Sequence, residues 1–386
     1  MSAEKQKEEN PLLELKKAGQ SVWLDYLSRE ILKMGKLKRL IEEDGVTGVT
    51  SNPTIFQKAI KGGDDYDPAV GRLLEKQISD PKEMFLSLAI DDIKDAADLL
   101  LPVYEATGGT DGYVSLEVSP DLAYDTEATI DEARSLFGRV GKKNVFIKVP
   151  GTKEGLPAIR QLISEGINVN VTLLFSVGRY REVMDAYIAG LEKRAGEGKS
   201  IDHVASVASF FVSRVDTLAD KLLSGRYKET AEPGAKEQIK SLFGKAAVAN
   251  AVLAYDAYKK TFTGGRFPAL KNKGARIQRI LWASTSTKNP GYSDIKYVED
   301  LIAPESVNTM PEETIDAFRD HGKAAPALPG NVAAAEKIMA DLKEAGVDID
   351  GVTRELEADG VEKFSESFRS VLKSMSEKRD ALLAKK

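Results

Sequence analysis

The segment VFIKVPGT, residues 145–152, has the composition of a buried β-strand that carries one charged side chain, Lys148. Valine, isoleucine and phenylalanine favour strands, and a short apolar run of this kind is typical of a strand that is buried on both faces. Lysine is among the residues least often buried, because desolvating an ammonium group is costly. We therefore expect Lys148 to lie beside a compensating charge or in a site that uses its amine.

Seven more segments resemble this strand, and helical stretches such as TIDEARSLFGRV, with apolar residues three and four apart, separate them. The eight predicted strands are SVWLDYL (21–27), GVTGVTS (45–51), GYVSLEVS (112–119), NVFIKVP (144–150), INVNVTLLF (167–175), VASVASF (204–210), RILWAST (279–285) and SVNTM (306–310). This alternation predicts an α/β protein with a closed (β/α)8 TIM barrel. The alternative, an open doubly wound sheet, is less favoured because neither GxGxxG nor GxxxxGK[ST] follows any predicted strand.

Helix starts are predicted where a capping residue precedes proline, at Asn52-Pro53, Ser119-Pro120 and Asn289-Pro290. No linker divides the chain, so we expect residues 1–386 to form one barrel domain. Its surplus length is helical and lies in 53–111, 216–278 and a C-terminal extension, 331–386. We expect this extension to pack as helices on the barrel exterior.

Composition excludes several classes of function. The chain has no cysteine, which excludes disulfides and thiolate chemistry, and its two histidines, His203 and His321, form no metal-binding motif, so no metal site is expected. A net charge of -5 argues against nucleic acid as a partner. The polar start MSAEKQKEEN and the absence of a long apolar run argue against secretion and membranes, which makes the cytoplasm the expected location.

Side chains alternate faces along a strand, which places Phe146 and Lys148 opposite Val145, Ile147 and Val149. Four other strands also divide into an aliphatic face and a second, mostly polar face. The residues of the second face are Trp23 and Asp25 in the first strand, Ser115 and Glu117 in the third, Asn168, Asn170 and Thr172 in the fifth, and Trp282 and Ser284 in the seventh. We expect the second faces to meet at the barrel axis. The polar groups lie toward the C-terminal ends of the strands, joined there by Asn52 and Ser209, where barrel enzymes build their active sites.

Two interpretations of Lys148 remain open at this point. It can form a structural ion pair with Glu117 or Asp25, or it can be a nucleophile, since desolvation lowers the pKa of a buried amine and populates its free base. Two carboxylates beside one amine would serve either role, because imine chemistry moves protons at each step. Asn52 can be a helix cap, a ligand contact, or both.

A phosphate site is expected just beyond the sixth and seventh strands, where Arg214, Ser284 and Lys288 lie. This part of a barrel commonly holds phosphate, and a guanidinium can bind it through two hydrogen bonds. The alternative for Arg214 is a salt bridge with the nearby Asp216.

These residues lie in segments that resemble the transaldolase family of Schiff-base enzymes, in the family's order from residue 21 to about 310. The segments are GVTSNPTIF (48–56), SLEVSPDLAYDT (115–126), FIKVPGT (146–152), INVNVTLLFS (167–176), ASFFVSRVD (208–216) and LWASTSTKNP (281–290). The length of the chain resembles the longer bacterial subgroup. The resemblance implies a (β/α)8 barrel and a cofactor-independent enzyme of the pentose phosphate pathway that acts on sugar phosphates.

The resemblance also implies a role for each site residue. Lys148 corresponds to the imine-forming lysine, Asp25 to the acid/base at the scissile bond, and Glu117 with Thr172 to the pair that holds a proton-relaying water. The residues that correspond to contacts with the three-carbon unit are Thr50, Asn52, Asn170, Ser209 and Phe211, and those that correspond to the phosphate site are Arg214 and Ser284. Many members carry arginine where this chain has Ser286. We therefore expect Lys288 to supply part of the missing charge.

The implied reaction transfers a dihydroxyacetone unit from sedoheptulose 7-phosphate or fructose 6-phosphate to an aldose phosphate. Two alternatives remain open. A related Schiff-base aldolase would release free dihydroxyacetone, and the outcome depends on how well the site keeps water from the imine. A non-catalytic sugar-phosphate binding barrel would use Lys148 only as a counter-ion.

Overall fold

The structure, a computed structural model, describes residues 10–61 and 64–384. Residues 1–9 of the polar start, residues 62–63 of the predicted helical region 53–111, and residues 385–386 of the predicted extension 331–386 lie outside this description. Within the described ranges, no helix combines the length and the apolar composition that crossing a bilayer requires.

Eight parallel strands pair in chain order, and the last pairs with the first, so the sheet closes into a barrel. The strands are β1 (Gln20–Leu24), β2 (Val46–Val49), β3 (Tyr113–Glu117), β4 (Val145–Pro150), β5 (Val169–Leu174), β6 (Ser206–Phe211), β7 (Arg279–Ala283) and β8 (Ser306–Met310). All eight predicted strands are present, and the predicted (β/α)8 fold is confirmed. Several predicted strands are longer than the observed ones, so Asp25, Asn52 and Ser284 lie just beyond strand ends.

Helices surround the barrel and fill the long connections. The helices before β5 are α1 (Pro11–Lys17), α2 (Arg29–Lys33), α3 (Lys36–Asp44), α4 (Pro53–Lys61), α5 (Asp67–Glu75), α6 (Pro81–Ala106), α7 (Thr126–Val140) and α8 (Gly155–Glu165). Those after β5 are α9 (Val177–Gly196), α10 (Ser213–Glu229), α11 (Pro233–Lys240), α12 (Ala246–Thr263), α13 (Phe267–Lys271), α14 (Lys296–Glu299), α15 (Glu312–His321), α16 (Val332–Glu344) and α17 (Ile349–Leu383).

One of the three predicted helix starts is confirmed. At Asn52-Pro53 the helix α4 begins, and Asn52 Oδ1 accepts a hydrogen bond from the amide of Ile55 at 3.0 Å. The prediction at Ser119-Pro120 is wrong for an α-helix, because only a short 3-10 turn follows and α7 begins later, behind the cap Asp125. The prediction at Asn289-Pro290 is also wrong, because Asn289 Oδ1 accepts from the amide of Gly291 and stabilises a turn.

The N-terminal end of the barrel is closed by a buried ion pair. Arg279 on β7 lies 3.3 Å from Asp111, whose carboxylate also accepts hydrogen bonds from Trp23 Nε1 at 2.7 Å, from Thr47 Oγ1 at 2.9 Å and from Ser21 Oγ. These groups satisfy charges that would be costly to bury alone.

Above this ion pair the interior is filled by aromatic rings. Trp23 stacks on Phe146 with ring centroids 6.1 Å apart, and Phe146 stacks on Tyr113 at 4.2 Å. Gly48 on β2 makes room for them, since a Cβ at this position would lie 2.4 Å from the indole ring of Trp23. The rings form a solid floor beneath the C-terminal end of the barrel.

The predicted face of β7 is wrong for Trp282. In a parallel sheet, paired residues share a face, and Ser209 of the interior pairs with Leu281, while Phe211 pairs with Ala283. Trp282 therefore points outward, where its ring packs edge-on against Phe210 at 6.2 Å. The large indole lies in the layer between sheet and helices, and the smaller Leu281 and Ala283 face the barrel interior.

The last helix, α17, crosses the C-terminal mouth of the barrel. It packs against α4, which follows β2, and against α10, which follows β6, and these strands lie on opposite sides of an eight-stranded barrel. Two side-chain hydrogen bonds of 2.7 Å, Thr54 to Ser367 and Gln57 to Ser370, fasten it to α4. The expectation that residues 331–386 pack on the barrel exterior thus covers only part of this segment, because part of α17 lies over the mouth of the barrel.

Candidate active site

A cavity of about 630 Å³ opens at the C-terminal ends of the strands. Ten of the twelve predicted site residues line it: Asp25, Thr50, Asn52, Lys148, Thr172, Ser209, Phe211, Arg214, Ser284 and Lys288. The other two, Glu117 and Asn170, are buried directly behind this wall. Strand residues and residues of the segments that follow the strands thus meet at one end of the barrel.

Lys148 lies on β4 with 4% of its surface exposed, and its Nζ faces the cavity. The amine donates to Glu117 Oε2 at 3.1 Å and to the carbonyl oxygen of Ser51 at 3.3 Å. Glu117 and Lys148 are register partners on β3 and β4, which fixes this pair through the sheet itself. The ion pair expected under the structural interpretation is present, and the amine is also reachable from the cavity.

Glu117 and Thr172 each have a buried oxygen, Oε1 and Oγ1, without a hydrogen-bond partner among the described residues. Buried polar atoms in proteins are nearly always paired, with water where no protein group is available. Burial raises the pKa of Glu117, and the positive charge of Lys148 opposes that rise. These two oxygens can therefore hold a water molecule or a substrate hydroxyl near the amine.

Asp25 is partly buried at the cavity wall just after β1. Its Oδ1 accepts a hydrogen bond of 2.7 Å from Thr50 Oγ1, which in turn lies 2.7 Å from Thr309 Oγ1. Burial raises the pKa of Asp25, while the hydrogen bond from Thr50 and the charge of Lys148 lower it. A carboxyl group whose pKa is raised by burial holds a proton more readily than an exposed aspartate, which suits it to proton exchange with a substrate hydroxyl.

Amides and hydroxyls form a polar network on the next strands. Asn170 donates from Nδ2 to Ser115 Oγ at 3.0 Å and accepts at Oδ1 from Ser209 Oγ at 2.7 Å. These bonds hold the amide of Asn170 in one orientation behind the cavity wall. Asn52 caps α4 and lines the cavity as well, so the cap and the ligand-contact interpretations are compatible.

Arg214 lies in the first turn of α10 and lines the cavity on the side that we call the far wall, together with Ser284 and Lys288. Its Nη1 is buried without a hydrogen-bond partner in the part of the chain that the structure describes, and its guanidinium lies 5.6 Å from the ring centre of Phe211. The predicted alternative, a salt bridge with Asp216, is wrong for the described residues. Asp216 instead accepts hydrogen bonds from the amide of Ala247 at 2.7 Å and from Tyr297 Oη at 2.8 Å.

Ser284 and Lys288 lie on the loop after β7, the strand that pairs with β6, which precedes Arg214. Ser284 has a φ of 56°, a backbone conformation rare outside glycine and often found at functional sites, and its Oγ lies 3.0 Å from Ser213 Oγ. The exposed Lys288 donates to Ser286 Oγ at 2.6 Å. Ser284, Ser286, Arg214 and Lys288 line the cavity and can donate hydrogen bonds to an anion, while the carboxylates of Glu312, Glu313 and Asp316 line the cavity as well.

Sequence reasoning missed several residues that line the cavity. Thr309 pairs with Trp23 of the interior face, but alternation along SVNTM does not show which face turns to the axis, because Ser306 and Asn308 make the opposite face polar. Phe364 of α17 could not be found either, because it is one apolar position of an amphipathic helix 54 residues beyond the last residue of β8, Met310. Its ring centre lies 5.5 Å from Lys148 Nζ.

A (β/α)8 barrel with a lysine amine, two carboxylates and a cationic far wall around one mouth defines the class of lysine-dependent sugar-phosphate aldolases and transferases. Residues 22–375 match the model of the transaldolase/fructose-6-phosphate aldolase family, and the chain belongs to this family.

Similar proteins match over nearly the full chain. A protein of Trichodesmium erythraeum (strain IMS101) named transaldolase is 48% identical over 373 residues, which cover 96% of this chain and 97% of that protein. A transaldolase of Thiobacillus denitrificans (strain ATCC 25259 / T1) is 49% identical over 359 residues, with 93% and 98% covered. One of Mycobacterium marinum (strain ATCC BAA-535 / M) is 48% identical over 377 residues, with 97% and 99% covered.

Proposed function

We propose that this chain is a transaldolase of the pentose phosphate pathway, which transfers a dihydroxyacetone unit between sugar phosphates through a lysine imine. The observation that carries the proposal is the buried amine of Lys148, which opens to the 630 Å³ cavity beside Glu117. Relatives named transaldolase that are 48–49% identical over nearly the whole chain support it.

In the first step Lys148 gives a proton to Glu117, and the free amine attacks the C2 carbonyl carbon of a ketose phosphate such as fructose 6-phosphate. Loss of water from the resulting carbinolamine gives a protonated imine, which serves as an electron sink. These proton transfers need a relay, and we assign it to a water held between Glu117 and Thr172. The unpaired buried oxygens of these two residues support the assignment.

In the second step Asp25 removes the proton of the C4 hydroxyl, and the C3–C4 bond breaks. An aldose phosphate leaves, and the three-carbon unit stays on Lys148 as an enamine. A second aldose phosphate then accepts the unit by the reverse sequence. Burial raises the pKa of Asp25, which favours proton exchange with a hydroxyl during bond cleavage.

The remaining predicted residues bind the substrate. The three-carbon unit contacts Thr50, Asn52, Ser209 and Phe211, and Asn170, predicted as a further contact, acts from behind the cavity wall through its hydrogen bond with Ser209. The phosphate binds to Arg214 and Ser284, and Lys288 supplies charge from the loop that also carries Ser286. The partnerless Nη1 of Arg214 supports this placement, because a buried guanidinium nitrogen needs an acceptor.

Reduction of the imine with borohydride tests the proposal. With fructose 6-phosphate, the parent protein should gain the mass of one reduced adduct, located on the peptide that contains Lys148. The Lys148→Arg variant keeps the positive charge beside Glu117 but cannot form an imine, so it should gain none.

Lys58→Arg is the matched control, because Lys58 also lines the cavity but is exposed. It should be labelled as the parent is. An adduct on Lys58, or transfer activity in Lys148→Arg equal to that of the parent, would contradict the mechanism.

A second candidate follows from the family description, which also covers fructose-6-phosphate aldolase. That activity would release free dihydroxyacetone, and a comparison of its release with transfer to erythrose 4-phosphate separates the two.

We further propose that residues 1–386 act as one barrel domain with 331–386 as its helical extension, in the cytoplasm, without a cofactor and without nucleic acid as a partner.

A further inference from the structure

Phe364 occupies a position in α17 that brings a residue of the C-terminal helix to the reactive amine. Only 5% of its surface is exposed, it lines the 630 Å³ cavity, and its ring centre lies 5.5 Å from Lys148 Nζ. The polar groups of the site come from the strands, from the loops that follow them and from helices of the barrel such as α4 and α10. Phe364 is a large apolar side chain brought to this amine from outside the barrel.

The ring is held in place by contacts on both sides of it. One turn later Phe368 packs edge-on against Phe85 at 5.8 Å, and Ser367 accepts the hydrogen bond from Thr54. One turn earlier, Gly360 lies against the side chain of Leu173 on β5, where a Cβ would approach to 3.0 Å. The helix is therefore fastened to the barrel before and after Phe364, and these contacts restrict movement of the ring away from Lys148.

We propose that Phe364 is a specificity-determining residue that shields the lysine adduct from water and so favours transfer over hydrolysis. This inference rests on the function proposed above. After cleavage the enamine has two fates. It can add through C3 to an aldose phosphate, or it can be protonated at C3 to an imine that water attacks at C2.

Hydrolysis then follows by a balanced route. The water oxygen bonds to C2 and loses a proton, the C2–N bond of the carbinolamine breaks, and free dihydroxyacetone and the Lys148 amine are released. A ring that covers the amine limits the access of further water to the enamine and so slows its protonation at C3, whereas the water assigned to Glu117 and Thr172 remains for the imine hydrolysis that both fates share. The face of an aromatic ring within about 6 Å of a cation also stabilises positive charge, which the protonated imine carries.

The test measures the ratio of free dihydroxyacetone released to dihydroxyacetone transferred, with fructose 6-phosphate as donor and erythrose 4-phosphate as acceptor. Phe364→Ala should raise this ratio by about tenfold, since opening the site to water is expected to change the barrier for hydrolysis by about 1.4 kcal/mol. Phe364→Leu should raise it less. In both variants the KM for fructose 6-phosphate should change less than the ratio, because the phosphate binds at Arg214.

Met375→Ala is the matched control, because Met375 is a fully buried apolar residue of the same helix that neither lines the cavity nor makes the contacts that hold Phe364. It should lower the melting temperature and leave the ratio unchanged. If Phe364→Ala does not fold, Phe364→Leu carries the test against Met375→Ala. A ratio equal to that of the parent in the folded Phe364 variants, or an equal rise in Met375→Ala, would overturn the inference.

Borohydride trapping separates this failure from a failure of the proposed function. A parent protein that forms the adduct on Lys148 but whose ratio does not respond to Phe364 refutes only the role of the ring. A parent protein that forms no adduct refutes the imine mechanism itself.

Discussion

Replacing Thr50 with valine removes one hydrogen bond from the carboxylate of Asp25 with little change of shape. In the parent protein the hydroxyl of Thr50 donates to Asp25 Oδ1 at 2.7 Å. A hydrogen bond to the ionised carboxylate favours the charged form, and it therefore lowers the pKa of Asp25 against the rise that burial causes. Without it, the pKa of Asp25 should rise further.

The size of the effect follows from the energy of such a bond. A hydrogen bond to a charged group contributes about 1.5 kcal/mol at the lower end of its range, and one pKa unit corresponds to about 1.4 kcal/mol. Asp25 must be ionised to accept the C4 hydroxyl proton, so the acid limb of kcat/KM depends on its pKa. We expect Thr50→Val to move that limb about one pH unit upward, with activity nearest to that of the parent at alkaline pH.

The assay is the rate of transfer from fructose 6-phosphate to erythrose 4-phosphate, measured from acid to alkaline pH. Ser286→Ala serves as a control, because Ser286 lines the same cavity and contacts Lys288 instead of Asp25. It should leave the acid limb in place. An acid limb that does not move in Thr50→Val, or that moves to lower pH, would refute the assignment of Asp25 as the base.

Three further predictions concern the far wall of the cavity and the closed end of the barrel. Arg214→Ala should raise the KM for sugar phosphates by about 100-fold in steady-state kinetics, since two charge-assisted hydrogen bonds are lost. Lys288→Ala should raise it by about tenfold at most, because this lysine is exposed and screened, and added salt should reduce the difference. Asp111→Ala should lower the free energy of unfolding by about 3–5 kcal/mol in urea titrations, because it leaves Arg279 buried and unpaired, while KM stays as in the parent.

Much of the fold could be predicted because the sequence pattern of each strand and helix lies within a short segment of the chain. Each strand is a short run of β-branched and aromatic residues, and the charged or amide group within it, such as Lys148 or Asn170, stands out against aliphatic neighbours. The closure of the sheet follows from the number of strands and their alternation with helices. The two-residue period of the strands brought together Lys148, Glu117, Asp25, Asn170 and Thr172, because the strands of a barrel direct one face to a common axis. Arg214 and Lys288 came from their positions after strands, and Thr50 and Phe211 came from the family resemblance.

The predictions from sequence were wrong where tertiary packing determines the direction of a side chain or the path of the backbone. Trp282 and Ser284 share a period along the chain, but β7 turns Trp282 outward to pack on Phe210, and a positive φ at Ser284 redirects the chain after the strand. Asn289-Pro290 has the local pattern of a helix start but forms a turn instead, stabilised by the Asn289 side chain. Phe364 meets Lys148 only because α17 folds back across the mouth, and no local pattern records that path.

The distance along the chain between β8 and Phe364 has a consequence for synthesis. Translation supplies a domain from its N-terminus, so the eight strands, which end at Met310, exist before the segment that carries Phe364 has been made. A nascent barrel could already present its amine to a sugar while the ring that covers it is still missing. The docking of α17 would then be the folding step that converts a barrel that releases free dihydroxyacetone into an enzyme that transfers it.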